Sequence, residues 1–458
     1  MSGRVGPSLS KVSSAAPTYF IEQFTEDERH ILRRYFSNLD GPVFALVNLP
    51  EVVKGALFAR YSRSSKSLRR LFIDEFVGEL DISGDETIDA TIGLARAEAL
   101  YDRVFFEYGD DSVAQLGGVH LACEQASNLL TKVLEWGRLM SYLEQSTRYI
   151  PYDERAGGRY RYYRDPEILA SGVGARYVGD MDRLFTIYGA LTVAVQDYFR
   201  EQTPKTESDS DFVYRQAIRA KAYDATRGIL PAAALSNVGI YGSGQGFESL
   251  ILHMKASPLP EAQMYADLIL TELRKVIPSF LRRVDLPERG GAWSDYMRST
   301  REAMETVAYE FLAGDESADA SGPSVTLTDW DPEGELKTVA AMLYPYTNLS
   351  EARVIDRVRQ MSVEDRIAVA RAYVGDRTNR RHKPGRALER CDYRFDVVSD
   401  YGAFRDLQRH RMMTIEWQDL SPRHGYTLPV SIDEAGLGES YAEAMEVSRE
   451  LWSRLSET

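Results

Sequence analysis

Residues 136–149 read Trp-Gly-Arg-Leu-Met-Ser-Tyr-Leu-Glu-Gln-Ser-Thr-Arg-Tyr. Glu144, Ser146 and Arg148 alternate, so a chain that becomes extended after Leu143 places the three side chains on one face. Such a face suits a nucleotide. A guanidinium and a hydroxyl hold a phosphate or a ring carbonyl, and a carboxylate accepts from a sugar hydroxyl. The same residues also read as a polar helix end with an internal Glu–Arg pair.

A second cluster follows far downstream, Phe404-Arg405-Asp406-Leu407-Gln408-Arg409-His410-Arg411-Met412-Met413-Thr414. Arg405 and Arg409 stand one helical turn apart, and packed basic side chains are better tolerated beside an anion than alone. A solvated basic helix face, neutralised by Asp406 or Glu416, is the plainer alternative.

The surroundings of the two clusters run in parallel. Val43–Leu49 and Val325–Trp330 both read as short strands, and an amphipathic helix follows each. Leu57–Ser62 can be set against Met342–Thr347. Asp110 precedes Arg138 by 28 residues, and His382 precedes Arg411 by 29. An internal repeat of this kind lets two similar units pair and build a site across their junction.

The remaining pattern is mostly helical, with apolar spacing near 3.6 in Ala114–Leu143, Arg176–Glu201, Glu261–Leu281 and Ser362–Tyr373. Strands are few and short. The expected class is α+β, two copies of a domain in which long helices pack a small sheet, the second copy truncated. Residues 1–40 form an extension that opens on a Ser, Gly and Pro rich stretch and carries a helix opened by a capping box at Thr25-Glu26-Asp27-Glu28. Residues 41–312 are the first domain, the polar stretch 313–324 a linker, and 325–458 the second, incomplete domain.

Composition narrows the function. A chain of 458 residues with formal charge −14 surrounds itself with a repulsive field, which argues against a general nucleic-acid or anionic-membrane partner. There is no apolar run long enough to span a bilayer and no secretory signal, so the expected location is cytoplasmic. Cys123 and Cys391 lack a CxxC partner and the six histidines lack ligand spacing, which disfavours a structural metal site. Cys123 reads as a small buried hydrophobe. Gly242-Ser243-Gly244-Gln245-Gly246 reads as a turn before the helix Phe247–Met254, with no clear strand ahead of it and the wrong spacing for a dinucleotide fingerprint.

Taken together, the two clusters resemble the flavin-dependent thymidylate synthases, whose signature is Arg-His-Arg-x-x-Ser-x-Asn-Glu-x-Ser-x-Arg-Tyr. The first copy matches its back in register at Arg138, Ser141, Glu144, Ser146, Arg148 and Tyr149, with Trp136, Gly137 and Leu143 departing. The second copy matches its front at Arg409, His410 and Arg411, with Thr414 in place of Ser. Arg227-Gly228-Ile229-Leu230-Pro231 is similar to the family's Arg-x-x-Leu-Pro, Lys255 falls where a second substrate cation is expected, and His382-Lys383-Pro384 resembles the flavin-contacting turn.

The resemblance implies methylation of dUMP to dTMP, with methylenetetrahydrofolate as carbon donor and FAD, reduced by NADPH, as source of the hydride. Glu144, Ser146, Arg148, Arg227 and Lys255 would hold the substrate. Arg409, His410, Arg411, Thr414 and His382 would hold FAD. It also implies a homo-oligomer, two chains acting as a pseudo-tetramer. A non-catalytic flavin or nucleotide-binding paralogue with a structural or regulatory role is the other reading.

Overall fold

The computed structural model describes residues 22–36, 38–40, 46–51, 53–54, 57, 67–75, 77, 115, 117–155, 157–312 and 324–457. The Ser, Gly and Pro rich opening, most of the paired segments at 43–64, the Asp110–Ser112 turn and all of the 313–324 linker but its last residue lie outside these residues. The described chain mixes helix with small sheets, an α+β architecture, and its contacts divide it into two compact units. Unit 1 comprises residues 1–315, 408–416 and 428–458; unit 2 comprises 316–407 and 417–427. Two stretches of the sequence segment 325–458 therefore fold with unit 1.

Helix α1 (Glu26–Leu32) opens on the expected capping box: the Thr25 hydroxyl accepts the Glu28 N–H, and the Thr25 N–H donates to the Glu28 carboxylate at 2.8 Å. Helix α2 (Leu68–Glu75) buries Leu68, Leu71 and Phe72 in the same core as Leu32 and Phe36.

The stretch 114–143 is not one helix. It runs as strand β1 (Gly118–Ser127), helix α3 (Asn128–Leu134) and strand β2 (Ser141–Glu144). A bulge between Cys123 and Ala126 inserts an extra residue into β1. Buried Val119, Cys123, Ala126, Leu130 and Leu134 thereby fall at intervals of four, three, four and four, which imitates a helical period across a strand–helix junction. The Ser127 hydroxyl, accepting the Leu130 N–H, caps α3.

Helix α4 (Gly174–Gln202) is 29 residues long and buries Tyr177, Met181, Leu184, Phe185, Tyr188, Leu191 and Val195 along one stripe. It packs on α5 (Asp211–Thr226), which ends at Arg227. Strand β3 (Leu235–Ser243) is central in a three-stranded antiparallel sheet of order β1-β3-β2. Its alternation is strict: Ser236, Val238 and Ile240 are buried, Asn237 and Tyr241 face outward. A strand thus does precede the Gly242–Gly246 run, and α6 (Gly244–Ala256) starts within it, capped by Ser243. Helices α7 (Pro260–Leu273) and α8 (Ala292–Leu312) follow. The Arg283–Glu248 pair, at 2.6 and 2.7 Å, ties the chain between them to α6.

Unit 2 carries a two-stranded antiparallel sheet of β4 (Val325–Trp330) and β5 (Tyr393–Val397). Between them, α9 (Gly334–Leu343), α10 (Glu351–Arg359) and α11 (Val363–Val374) gather Val339, Ala340, Val354 and Val358 into a small core. The last helix, α12 (Gly438–Ser456), belongs to unit 1 and packs Tyr441, Ala444, Val447 and Leu451 against α4. Among the described residues no helix is long and apolar enough to cross a membrane.

Candidate functional site

The outward face of the three-stranded sheet holds a groove of about 430 Å³. Its floor comes from the register: Gly239 of β3 stands opposite Ala122 of β1 and Leu143 of β2. Among the described residues, only the Leu143 carbonyl oxygen lies within 4 Å of where a Gly239 Cβ would stand, at 3.9 Å. Two small residues side by side make a flat platform. Glu124, Glu144, Gln145, Ser146, Tyr149, Ile150 and Asn237 are among the residues that line the rest. Leu143 and Tyr149 are exposed at 80% and 72%, so apolar surface faces the groove uncovered among the described residues.

Alternation carries through β2 as far as Glu144. A last ladder bond follows, with the Gln145 N–H donating to the Asn237 carbonyl at 2.8 Å, and residues 147–149 then turn. The Arg148 N–H donates to the Ser146 hydroxyl inside that turn. Glu144 and Ser146 both line the groove, and the extended face expected for Glu144, Ser146 and Arg148 ends before Arg148, because the turn at 147–149 redirects the chain.

Arg148 and Arg227 meet at one carboxylate. Both Nε groups lie 3.1 Å from Asp224 Oδ1, near the end of α5. The two arginines proposed from sequence for a phosphate are therefore neighbours. Lys255, on α6, pairs with Asp267 of α7 at 2.6 Å, and its carbonyl accepts from Arg298.

Glu144 has a side chain only 1% exposed. Its carboxylate pairs with Lys132 of α3 at 3.3 Å and with Arg409 at 3.2 Å, and Lys132 also reaches Glu135 at 2.9 Å. Burial pushes the Glu135 carboxyl above the usual range, Lys132 pulls against that, and Glu144 adds to it. The segment 408–416 is fastened here: Gln408 donates to the Lys132 carbonyl at 2.8 Å, the Arg138 guanidinium donates to Thr414 at 3.1 Å, and Arg411 lies over the Tyr142 ring at 5.3 Å. Residues from the two sequence clusters, 265 positions apart for Glu144 and Arg409 and 276 for Arg138 and Thr414, thus adjoin within unit 1. His410 and Thr414 are exposed. His382 belongs to unit 2, where its ring is held by Thr378 and Asn379.

Cys123 is buried, and desolvation pushes its thiol up to about 12, which suits the expected role as a small hydrophobe. The sequence reading overlooked Asp224, Lys132, Glu135 and Asn237. Asp224 three residues ahead of Arg227, and Lys132 three ahead of Glu135, are helical pair spacings that could have pointed to the first three. Nothing local marks Asn237.

Three comparisons bear on this geometry. A family model described as thymidylate synthase complementing protein matches residues 56–279, a span that holds the groove and Asp224 but not the 408–416 segment. A UPF0159 protein of Chlamydia pneumoniae is 41% identical over 438 residues, 95% of this chain and 82% of the relative. A UPF0159 protein of Thermoplasma acidophilum is 31% identical over 430 residues, 88% of this chain and 81% of the relative.

Proposed function

We propose, for a chain that belongs to the thymidylate synthase complementing protein family, flavin-dependent methylation of dUMP to dTMP, with methylenetetrahydrofolate as carbon donor and NADPH as reductant. The observation that carries the reading is the meeting of Arg409 with Glu144. The front of the family signature in one part of the sequence lies against the back of the signature in another. The tandem-copy reading belongs to the same proposal, each copy supplying the half that the other lacks.

In this reading the flat Gly239–Ala122 floor takes the pyrimidine, Ser146 and Gln145 orient the base and sugar, and Arg148 with Arg227 clamps the phosphate. Arg409, His410, Arg411 and Thr414 would hold FAD, together with Arg138. These residues fit that group: the Arg411 Nη1 is buried and has no hydrogen-bond partner within the described chain, a donor left for an anionic or carbonyl acceptor. When bound, the flavin supplies the hydride that no side chain can.

The chain's own contribution is positioning and electrostatics. Ser146 acts as a ligand group: its hydroxyl already accepts the Arg148 N–H and keeps its own O–H to donate. A thiol held near 12 is not a nucleophile at neutral pH, which agrees with a chemistry that needs none. Glu144, locked by two cations, fixes the strand and Arg409. A homo-oligomer in which another copy covers the exposed groove is part of the proposal.

The test is an absorbance titration of the purified chain with FAD and dUMP, followed by anaerobic NADPH. Flavin bleaching that depends on dUMP supports the synthase. No flavin binding at high concentration overturns it in favour of a non-catalytic relative.

A further inference from the structure

We infer that the Asn237 carboxamide is the donor by which the groove selects a pyrimidine presenting a carbonyl over one presenting an amino group. The inference rests on reading the groove as the dUMP pocket. It begins at the β1 bulge, where Gln125 takes φ 57°, the left-handed region that non-glycine residues seldom occupy. Strain of this kind persists only where neighbours hold it in place. Here the Gln125 N–H, turned out of the ladder by the bulge, donates to Asn237 Oδ1 at 2.9 Å.

Asn237 is thereby fixed from two sides. Its backbone carbonyl accepts the Gln145 N–H, and its side-chain oxygen is committed to the bulge. A carboxamide has one oxygen and one NH2 group, so the flip is settled and the NH2 is what remains for the groove that Asn237 lines. An NH2 group donates and cannot accept. It suits a uracil carbonyl and opposes the amino group that cytosine carries in its place, since two donors facing one another are both left unpaired.

Aspartate has the same shape, and its oxygen accepts the same Gln125 N–H. It offers the groove an acceptor where asparagine offers a donor. The measured quantity is the ratio of dissociation constants for dCMP and dUMP, by titration of the intact chain. Both nucleotides carry the same phosphate, so repulsion from the added carboxylate cancels in the ratio.

For the native chain the ratio is expected to favour dUMP by roughly tenfold or more. In Asn237→Asp it falls at least about tenfold. Asn237→Ala removes the donor without adding an acceptor and moves the ratio toward unity, which keeps the test available if the aspartate variant fails to fold. Gln125→Gly keeps the N–H and accepts the positive φ, so its ratio stays native. A native chain that binds dUMP in preference to dCMP, with both Asn237 variants leaving that ratio unchanged, overturns this inference alone. A native chain that binds neither nucleotide overturns the dUMP reading and this inference with it.

Discussion

Arg148 and Arg227 meet a carboxylate whose side chain is 52% exposed, whereas Arg409 meets one that is 1% exposed and already bound to a buried lysine. In the first case two cations share one anion in contact with water, and the anion is a counter-charge that an arriving phosphate can outweigh. In the second the carboxylate and its lysine lie out of reach of solvent while Arg409 stays half exposed, and removing the carboxylate strands the buried lysine. The exposed group can exchange partners, and the buried group sets geometry. That distinction separates a clamp from an anchor, although Arg148 and Arg409 come from the same sequence signature.

The anchor gives the largest expected effect. Glu144→Ala leaves Lys132 facing Glu135 alone and takes away the buried partner of Arg409, so a loss of about 3 kcal/mol in urea denaturation is expected. A loss under about 0.5 kcal/mol, the range of ordinary surface changes, would place Glu144 with the exposed class and erase the comparison.

A third carboxylate sharpens it. Glu261 is 1% exposed and accepts the Ser127 N–H at 2.9 Å and the Ser127 hydroxyl at 2.5 Å. Burial raises its pKa above the ordinary 4.5, against the two Ser127 hydrogen bonds. The folded chain therefore binds a proton that the unfolded chain has released. Stability falls as pH rises from 4.5 through the raised folded value, the reverse of a cation-paired carboxylate. Glu261→Ala orphans both Ser127 donors and costs about 2 kcal/mol. Glu261→Gln keeps an acceptor and flattens this part of the stability profile, so parallel profiles for the native chain and Glu261→Gln in a pH series would rule the account out.

Ligand binding is the next test. Arg148→Ala is expected to weaken dUMP about tenfold, near 1.4 kcal/mol, and to spare FAD. Arg409→Ala is expected to do the opposite. Equal losses of both ligands in either variant, read by titration, contradict the division of labour.

How much of this was legible in the sequence depends on whether the cause was local. The α4 stripe from Tyr177 to Val195 and the Thr25 box follow from spacing and capping within one segment, and both were readable. The β1–α3 junction was not, because a bulge changes the strand's period by one residue and nothing in Glu124-Gln125 announces it. Arg148 and Arg227 were readable one at a time. Their convergence depends on how α5 and the turn after β2 meet, which is a tertiary fact. Asn237 was invisible because its role is set by a backbone N–H 112 residues away.

The smallest expected effect is also the most discriminating for the clamp. Asp224→Asn keeps an oxygen for Arg148 and Arg227 and removes the shared charge, so fold stability should move by less than about 0.5 kcal/mol, as for other solvent-exposed pairs. Two guanidiniums without their counter-charge attract a phosphate more strongly. Affinity for dUMP is therefore expected to rise about two- to threefold at low salt and to return to the native value near 0.5 M salt, where screening shortens the reach of charge to a few ångström. Deoxyuridine, which lacks the phosphate, is expected to bind both forms alike. If Asp224→Asn instead weakens dUMP tenfold, the carboxylate is holding the arginines in place or contacting the ligand itself. The exposed cluster would then belong with the anchor rather than with the clamp.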